Sequence, residues 1–236
     1  MATFKPTEHL AQILFSQGFG TRRVCAGLVE QGLVLLDGRL LDDPLEALPV
    51  AGLVLNVQGQ DWPVHEHASI VLHKPAGFEC SQKPRHHPSV MSLLPEPLRN
   101  RGVQPVGRLD EDTTGLLLLT DDGRLIHRWT SPKHHLPKVY EVTTKHAVNA
   151  KMLDALRGGV MLDDEPLPVR AESAEGTGEN ALRLVLVEGK YHQVKRMVAA
   201  AGNRVEALHR SAFGHLQLPA DLQPGQWRWV EPASVG

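Results

Sequence analysis

The sequence predicts an α+β protein in two parts: a small N-terminal α/β module over residues 1–60 and a larger domain over residues 69–236, joined by a linker at 61–68. Three observations carry this reading. Helix-spaced apolar residues and then a two-residue turn signal occupy the first forty or so positions. Strand patterns dominate from Ser69 to Val230, with a few helical stretches between them. Their order is irregular, without strict alternation of strand and helix. That favours a mixed, mainly antiparallel sheet flanked by helices and loops.

The bulk composition narrows the function classes. A chain of 236 residues with 42% hydrophobic content can bury a substantial core. Its net charge is -2, so any nucleic-acid surface must be local rather than global. Two cysteines, Cys25 and Cys80, lack CxxC spacing and suggest neither a disulfide framework nor a zinc site. No apolar run has signal-peptide or membrane-spanning character, so a soluble, cytoplasmic protein is expected.

In the first module, Leu10, Ile13, Leu14 and Gln17 are spaced as one helix face, which stops at Gly18. Thr21 can cap a second helix whose apolar stripe is Val24, Leu28 and Val29, ending at Gly32. Leu33–Leu36 reads as a strand, and Asp37-Gly38 as a hairpin turn. Arg22 and Arg23 stand at the start of the second helix, where cations oppose the helix dipole unless a phosphate partner compensates. Residues 56–67 mix Gly, Gln, Pro and His without periodicity, as a linker would.

The larger domain opens on a short buried strand, Ser69–His73, and a turn at Lys74-Pro75-Ala76-Gly77. From Cys80 to Pro88 the chain is polar and basic, as in a mobile loop. Leu116–Leu119 must be a buried strand, and Asp121-Asp122-Gly123 turns the chain into a helix. Between Arg124 and Lys138 there is no acidic residue, while Arg124, Arg128, Lys133, Lys138 and the histidines 127, 134 and 135 form an electropositive strip. Val139–Thr143 alternates as a strand that sets Tyr140 and Val142 on the face opposite Glu141. A short helix at Met152–Arg157 and a strand at Leu182–Val187 follow. The next helix runs to Ala201, with Val194, Met197, Val198 and Ala201 on one face. Lys195 lies about 100° round from Val194, at the border of that face, and can reach an interior carboxylate; Arg196 points outward. The tail from Leu216 to Val230, with its Pro-Gly turns and tryptophans, closes the sheet.

The stretch Val106–Gly115 poses the chemical question. It sets the carboxylate of Asp110 two residues from Arg108, at the mouth of a core strand, where an unpaired charge is costly. Three readings are open: a structural pair with Arg108; a metal site with Asp112, Asp121 and Asp122; or a metal-free nucleophile kept ionised by a cation. An extended strand would hold residues 112 and 121 roughly 20–30 Å apart, which counts against the metal site.

Two resemblances bear on this choice. The pattern Leu10-Ala11, Thr21-Arg22-Arg23 and Leu36-Asp37-Gly38-Arg39 resembles the S4-type RNA-binding domain, although the module carries more acids than bases. The motifs Lys74-Pro75-Ala76-Gly77, Gly107-Arg108-Leu109-Asp110, Thr113-Thr114-Gly115-Leu116, Thr130–His135, Lys138-Val139-Tyr140 and Glu188–Met197 closely resemble the RsuA-type rRNA pseudouridine synthases. That resemblance implies a pseudouridine synthase catalytic domain acting on rRNA, with 16S rRNA (position-516 type) favoured. The sister activity on 23S rRNA and a catalytically silent RNA-binding or ribosome-assembly protein stay open. It implies no cofactor and no metal. Asp110 would be the nucleophile, Tyr140 would stack on the base and help remove the C5 proton, Lys195 would pair with Asp110, and Arg108 would hold the flipped nucleotide. RNA contacts would come from Arg22, Arg23, Arg128, Lys133, His134, His135, Lys138, Lys190 and Arg196, with Arg204 and Arg210 on the same surface. The expected partner is rRNA, in a partly assembled small subunit, bound by a monomer away from any membrane.

Overall fold

A computed structural model describes residues 6–236. The chain divides into two compact units: one runs to Ala68 and takes in Leu94–Val103, and the other holds Ser69–Leu93 and Gln104–Gly236.

The first unit contains β1 (Thr7–His9), α1 (Leu10–Ser16), α2 (Arg22–Glu30), β2 (Val34–Leu36), β3 (Arg39–Leu40), β4 (Ala47–Pro49), β5 (Val54–Val57), β6 (Gln60–Pro63) and the later helix α3 (Glu96–Asn100). Leu10, Ile13 and Leu14 of α1 pack with Cys25 and Val29 of α2 over Val34, Leu55 and Val57. Thr21 caps α2 by accepting from the Val24 amide at 3.3 Å. The buried face of α2 differs from the expected stripe: Val24 is exposed and Cys25 takes its place in the core. Asp37 and Gly38 both have positive φ, the geometry of a two-residue type I′ turn, and join β2 to β3.

Residues 61–68 were expected to link two modules, and this needs correction. Gln60–Pro63 pairs antiparallel with Val54–Val57 across a second positive-φ turn at Gln58-Gly59. Trp62 is buried edge-on against Phe19, with ring centroids 5.1 Å apart. The strand shows no clear alternation because Gln60 and Asp61 are both exposed. The Arg101 guanidinium ties the end of the segment down by donating to the His65 carbonyl at 3.0 Å and the Glu66 carbonyl at 2.8 Å.

The second unit is built on one sheet. Its elements are β7 (Ser69–Lys74), β8 (Gln104–Val106), β9 (Thr114–Thr120), α4 (Gly123–Thr130), β10 (Lys138–Thr144), α5 (Ala150–Gly158), β11 (Ser173–Gly178), β12 (Ala181–Leu186), α6 (Gln193–Ala200), β13 (Val205–Phe213), β14 (Leu216–Gln217) and β15 (Trp227–Trp229). The strand order is β11-β12-β10-β13-β9-β7-β15, with β14 on β13 and β8 on β9. The β13–β9 pair is parallel and the other pairs are antiparallel, so the sheet is mixed and mainly antiparallel. Leu116–Leu119 is buried on both faces, which explains the unbroken apolar run. One apolar cluster gathers residues of α5 and α6 with those of β10 and β12. Another sets Trp129 of α4 against Val71, Leu116, Leu118 and Phe213.

Two strands carry little sequence signal. β11 is an edge strand whose Glu175–Gly178 run is exposed. The nine residues of β13 include Glu206, His209 and Arg210, which blur its alternation. Yet β13 decides the architecture, because its parallel pairing with β9 joins the two halves of the sheet. That contact requires Gly115, at φ +106. A Cβ there would stand 2.3 Å from the Arg210 carbonyl oxygen.

Candidate active site

The loop from Gly107 to Thr113 joins β8 to β9, and two buried cations brace it. Lys74, fully buried at the end of β7, donates from Nζ to the carbonyls of Pro75 (3.0 Å), Glu111 (3.1 Å) and Thr113 (2.7 Å). Burial pulls its pKa below the ordinary lysine value, partly offset by the acids of the loop. Arg210, only 1% exposed, donates from Nε to the Leu116 carbonyl (2.8 Å) and from Nη2 to the Gly107 carbonyl (3.0 Å). The loop backbone is therefore held at its start, near its end and just beyond, and Asp110 projects from a rigid base. The Gly77 amide adds a bond to the Glu111 carbonyl at 2.8 Å, linking the Lys74–Gly77 turn to the same loop.

At Asp110 the carboxylate oxygens have separate partners. Lys195 Nζ lies 3.1 Å from Oδ2, and His192 Nε2 lies 3.2 Å from Oδ1. Among the described residues these are its ion-pair partners; Arg108 is exposed and is not one of them. Lys195 is shared, since its Nζ also donates to both oxygens of Asp112, at 2.6 and 2.9 Å. Burial lowers the Lys195 pKa, but the bonds to Asp112 and Asp110 outweigh it and hold the ammonium above the ordinary value. Burial likewise raises Asp112, and the Lys195 ammonium more than reverses this. The lysine thus stays charged throughout the neutral range. Both Asp110 and Lys195 have side chains 28% exposed, so the pair is open to a ligand yet partly screened from water.

A cavity of about 760 Å³ opens over this pair, lined by Arg108, Asp110, Lys138, Tyr140, Tyr191 and His192 among others. Tyr140 reaches it from β10 at an irregularity: Val139 pairs with Ala212 but Tyr140 with Arg210, leaving Ser211 as an extra residue on β13. Such a bulge re-aims the side chains beside it. Lys138, two residues earlier on the same face, is only 7% exposed and stands over the Phe213 ring, 5.3 Å from its centroid. Burial, with the neighbouring Arg210 charge, lowers its pKa to about 8.

The residues expected to contact RNA separate into groups. Lys138 and Arg210 are corrected: both are buried, one under the cavity and the other in the loop brace, so neither is a surface phosphate contact. Charge alone identified them, and charge does not report burial. Lys190 is neutralised by Glu165 at 2.7 Å and Glu188 at 3.4 Å. Arg196 pairs with Asp164, and Arg204 with Glu206 at 3.2 Å. Arg128, Lys133, His134 and His135 are exposed and, among the described residues, form no ion pair. Arg22 and Arg23 are exposed on α2, Arg22 lying over the Phe15 ring at 5.2 Å. The three further acids weighed as metal ligands do not converge. Asp112 pairs with Lys195, while Asp122, beyond the far end of β9, caps α4 and pairs with Arg124. Among the described residues, no group of three His, Cys, Asp or Glu could hold a metal.

The sequence reading missed Lys74 and His192 as members of the site and weighed Asp112 only as a metal ligand, whereas it is a partner of Lys195. Lys74 had a signal, a lysine closing a run of buried strand residues just before a proline. Asp112 and His192 each lie within three residues of a predicted site residue, but their directions depend on backbone turns that no periodicity reveals.

The chain is similar to known proteins in sequence and in fold. The family model described as RNA pseudouridylate synthase matches residues 68–200. A ribosomal small subunit pseudouridine synthase A from Vibrio parahaemolyticus is 39% identical over 218 residues, covering 91% of this chain and 92% of that protein. The protein of the same name from Escherichia coli is 43% identical over 164 residues, 70% of this chain and 71% of that one. Among solved structures, one titled as a pseudouridylate synthase is 32% identical, superposes with a TM-score of 0.68, and covers 97% of this chain and 98% of its own.

Proposed function

The chain belongs to the RNA pseudouridylate synthases and isomerises uridine to pseudouridine in RNA; from that premise we propose that its target is a uridine of 16S rRNA and that Asp110 is its nucleophile. The small-subunit target is drawn from the similarity to relatives named for the ribosomal small subunit. The observation that supports the catalytic assignment is the Asp110 carboxylate, 3.1 Å from an ammonium and at the edge of an open cavity.

In this reading the uridine leaves its stack, at a cost of a few kcal/mol, and its base meets the ring of Tyr140. Asp110 attacks or stabilises the ribose at C1′ as the N1–C1′ bond breaks, and the detached base keeps the bonding electrons. The base turns so that C5 faces C1′, its electrons form the new C–C bond as C1′ is released from Asp110, and the proton left on C5 departs with help from Tyr140. Lys195, 3.1 Å away, balances the Asp110 charge when RNA excludes water from the cavity. Arg108, exposed on the cavity wall, holds the flipped nucleotide. No cofactor takes part. Residues 1–60 serve as an S4-like RNA-binding module that uses Arg22 and Arg23, while Arg128, Lys133, His134 and His135 contact phosphates. The protein works as a cytoplasmic monomer on a partly assembled subunit.

The test is Asp110→Asn. Tritium release from C5-labelled uridine in small-subunit rRNA should fall to background while RNA binding survives. Release at the wild-type rate would remove Asp110 from the mechanism. A wild-type protein that binds rRNA but yields no pseudouridine would instead support a silent RNA-binding role. Mapping pseudouridines in rRNA from a deletion strain, where one small-subunit site should be lost, checks the target.

A further inference from the structure

The chain has only two tyrosines, Tyr140 and Tyr191, and both line the cavity over Asp110. The mechanism above uses one of them. Tyr191 is 70% exposed, and a single exposed aromatic ring needs no explanation by itself. Its setting does. The ring lies parallel to that of His192, with centroids 3.8 Å apart and planes 20° apart, and His192 Nε2 is 3.2 Å from Asp110. Successive side chains normally diverge; here His192 adopts a left-handed backbone, φ +46, which lets the two rings stack. The backbone is pinned as well. The Tyr191 carbonyl accepts from Arg196 Nη1 at 3.1 Å, and Arg196 is anchored in turn by Asp164. A solvent-facing ring held from below and at its own backbone is a preorganised flat surface beside the reacting carboxylate.

We propose that Tyr191 is a stacking platform for the nucleobase adjacent to the target uridine. This rests on the reading of the cavity as a uridine site. Flipping the uridine leaves its neighbour without one stacking partner, and an aromatic face at the cavity edge replaces that partner. Stacking accepts any base, so the contact adds affinity without reading sequence. His192 joins the two functions: one face of its imidazole supports Tyr191, and its edge touches Asp110.

Steady-state kinetics and fluorescence-anisotropy binding, with an RNA carrying the target uridine, test this. Tyr191→Ala should raise KM and Kd by about 5- to 150-fold, the range for loss of one base–aromatic stack, with kcat within about twofold. Tyr191→Phe should match the wild type, because the ring and not the hydroxyl is used. Replacing one nucleotide flanking the target by an abasic ribose, 5′ or 3′ in turn, should weaken wild-type binding in one of the two positions and leave Tyr191→Ala binding unchanged there. Unchanged KM and Kd in Tyr191→Ala, or equal abasic losses in both proteins at both positions, would overturn the proposal. Absence of wild-type turnover would count against the uridine-site reading, while the anisotropy arms still decide the stacking.

Discussion

The cations of the catalytic unit occupy two regions governed by different physics. Around the Asp110 loop, Lys74, Lys138, Lys195 and Arg210 are buried or half-buried, and each has a fixed partner: backbone carbonyls, carboxylates or an aromatic face. On α4 and the turn after it, Arg128 and Lys133 are exposed and form no ion pair among the described residues. In the inner region removal of a charge strands a buried partner, so it costs stability or rate. In the outer region the charge is solvated and screened, so its removal changes only long-range attraction and phosphate contact. Residues that look alike in a charge count therefore do unlike work, and solvent access decides which.

Substitutions that remove one cation at a time can break this division. Lys195→Met should have the largest effect, lowering kcat by about 10²- to 10³-fold with RNA affinity little changed, because it removes a fixed charge beside the reacting carboxylate. Equal activity in single-turnover assays would place Lys195 outside the mechanism. Lys74→Met should lower unfolding stability by about 2–4 kcal/mol by leaving buried carbonyls of the loop without a donor, as read by urea denaturation. A loss below about 0.5 kcal/mol would show that the loop does not depend on this brace.

Lys138 gives a pH signature of opposite sign to a stabilising pair. Its folded-state pKa of about 8 lies below the unfolded value, so between those values the unfolded chain binds more protons and stability rises with pH. Relative to Lys138→Met, the wild type should gain about 2–3 kcal/mol between pH 7 and pH 10. A constant difference across that range would mean the ammonium is not desolvated. The smallest effect belongs to the outer strip. Arg128→Ala with Lys133→Ala should leave stability within about 0.5 kcal/mol of wild type. The slope of log Kd for RNA against log salt should shrink by about one per cation removed. An unchanged slope would mean the strip does not face RNA.

Much of the fold was legible because it follows from local periodicity. The Leu116–Leu119 run had to be a strand covered on both faces, the α1 and α6 faces followed from helical spacing, and Asp37-Gly38 could only be a tight turn. The residues 61–68 and β13 were not legible. The exposed polar residues of Gln60–Pro63 hide a local hairpin with Val54–Val57, and those of β13 are placed by β9 and β10, which are distant in sequence. At the site, the reach of Lys195 toward an interior carboxylate followed from its helical angle, but its sharing between Asp110 and Asp112 did not.

By itself the sequence determined the element types, the glycine-bounded carboxylate loop and the motif set that ties the chain to its family. These depend on residue type and short spacing, which survive in one dimension. Tertiary structure alone decided that Arg210 and Lys138 are interior, that Asp110 meets His192 and not Arg108, that Asp112 shares Lys195, and that Tyr191 and Tyr140 line one cavity. Each of those outcomes depends on burial and on the close approach of segments tens of residues apart, and neither quantity is written in any local stretch of the chain.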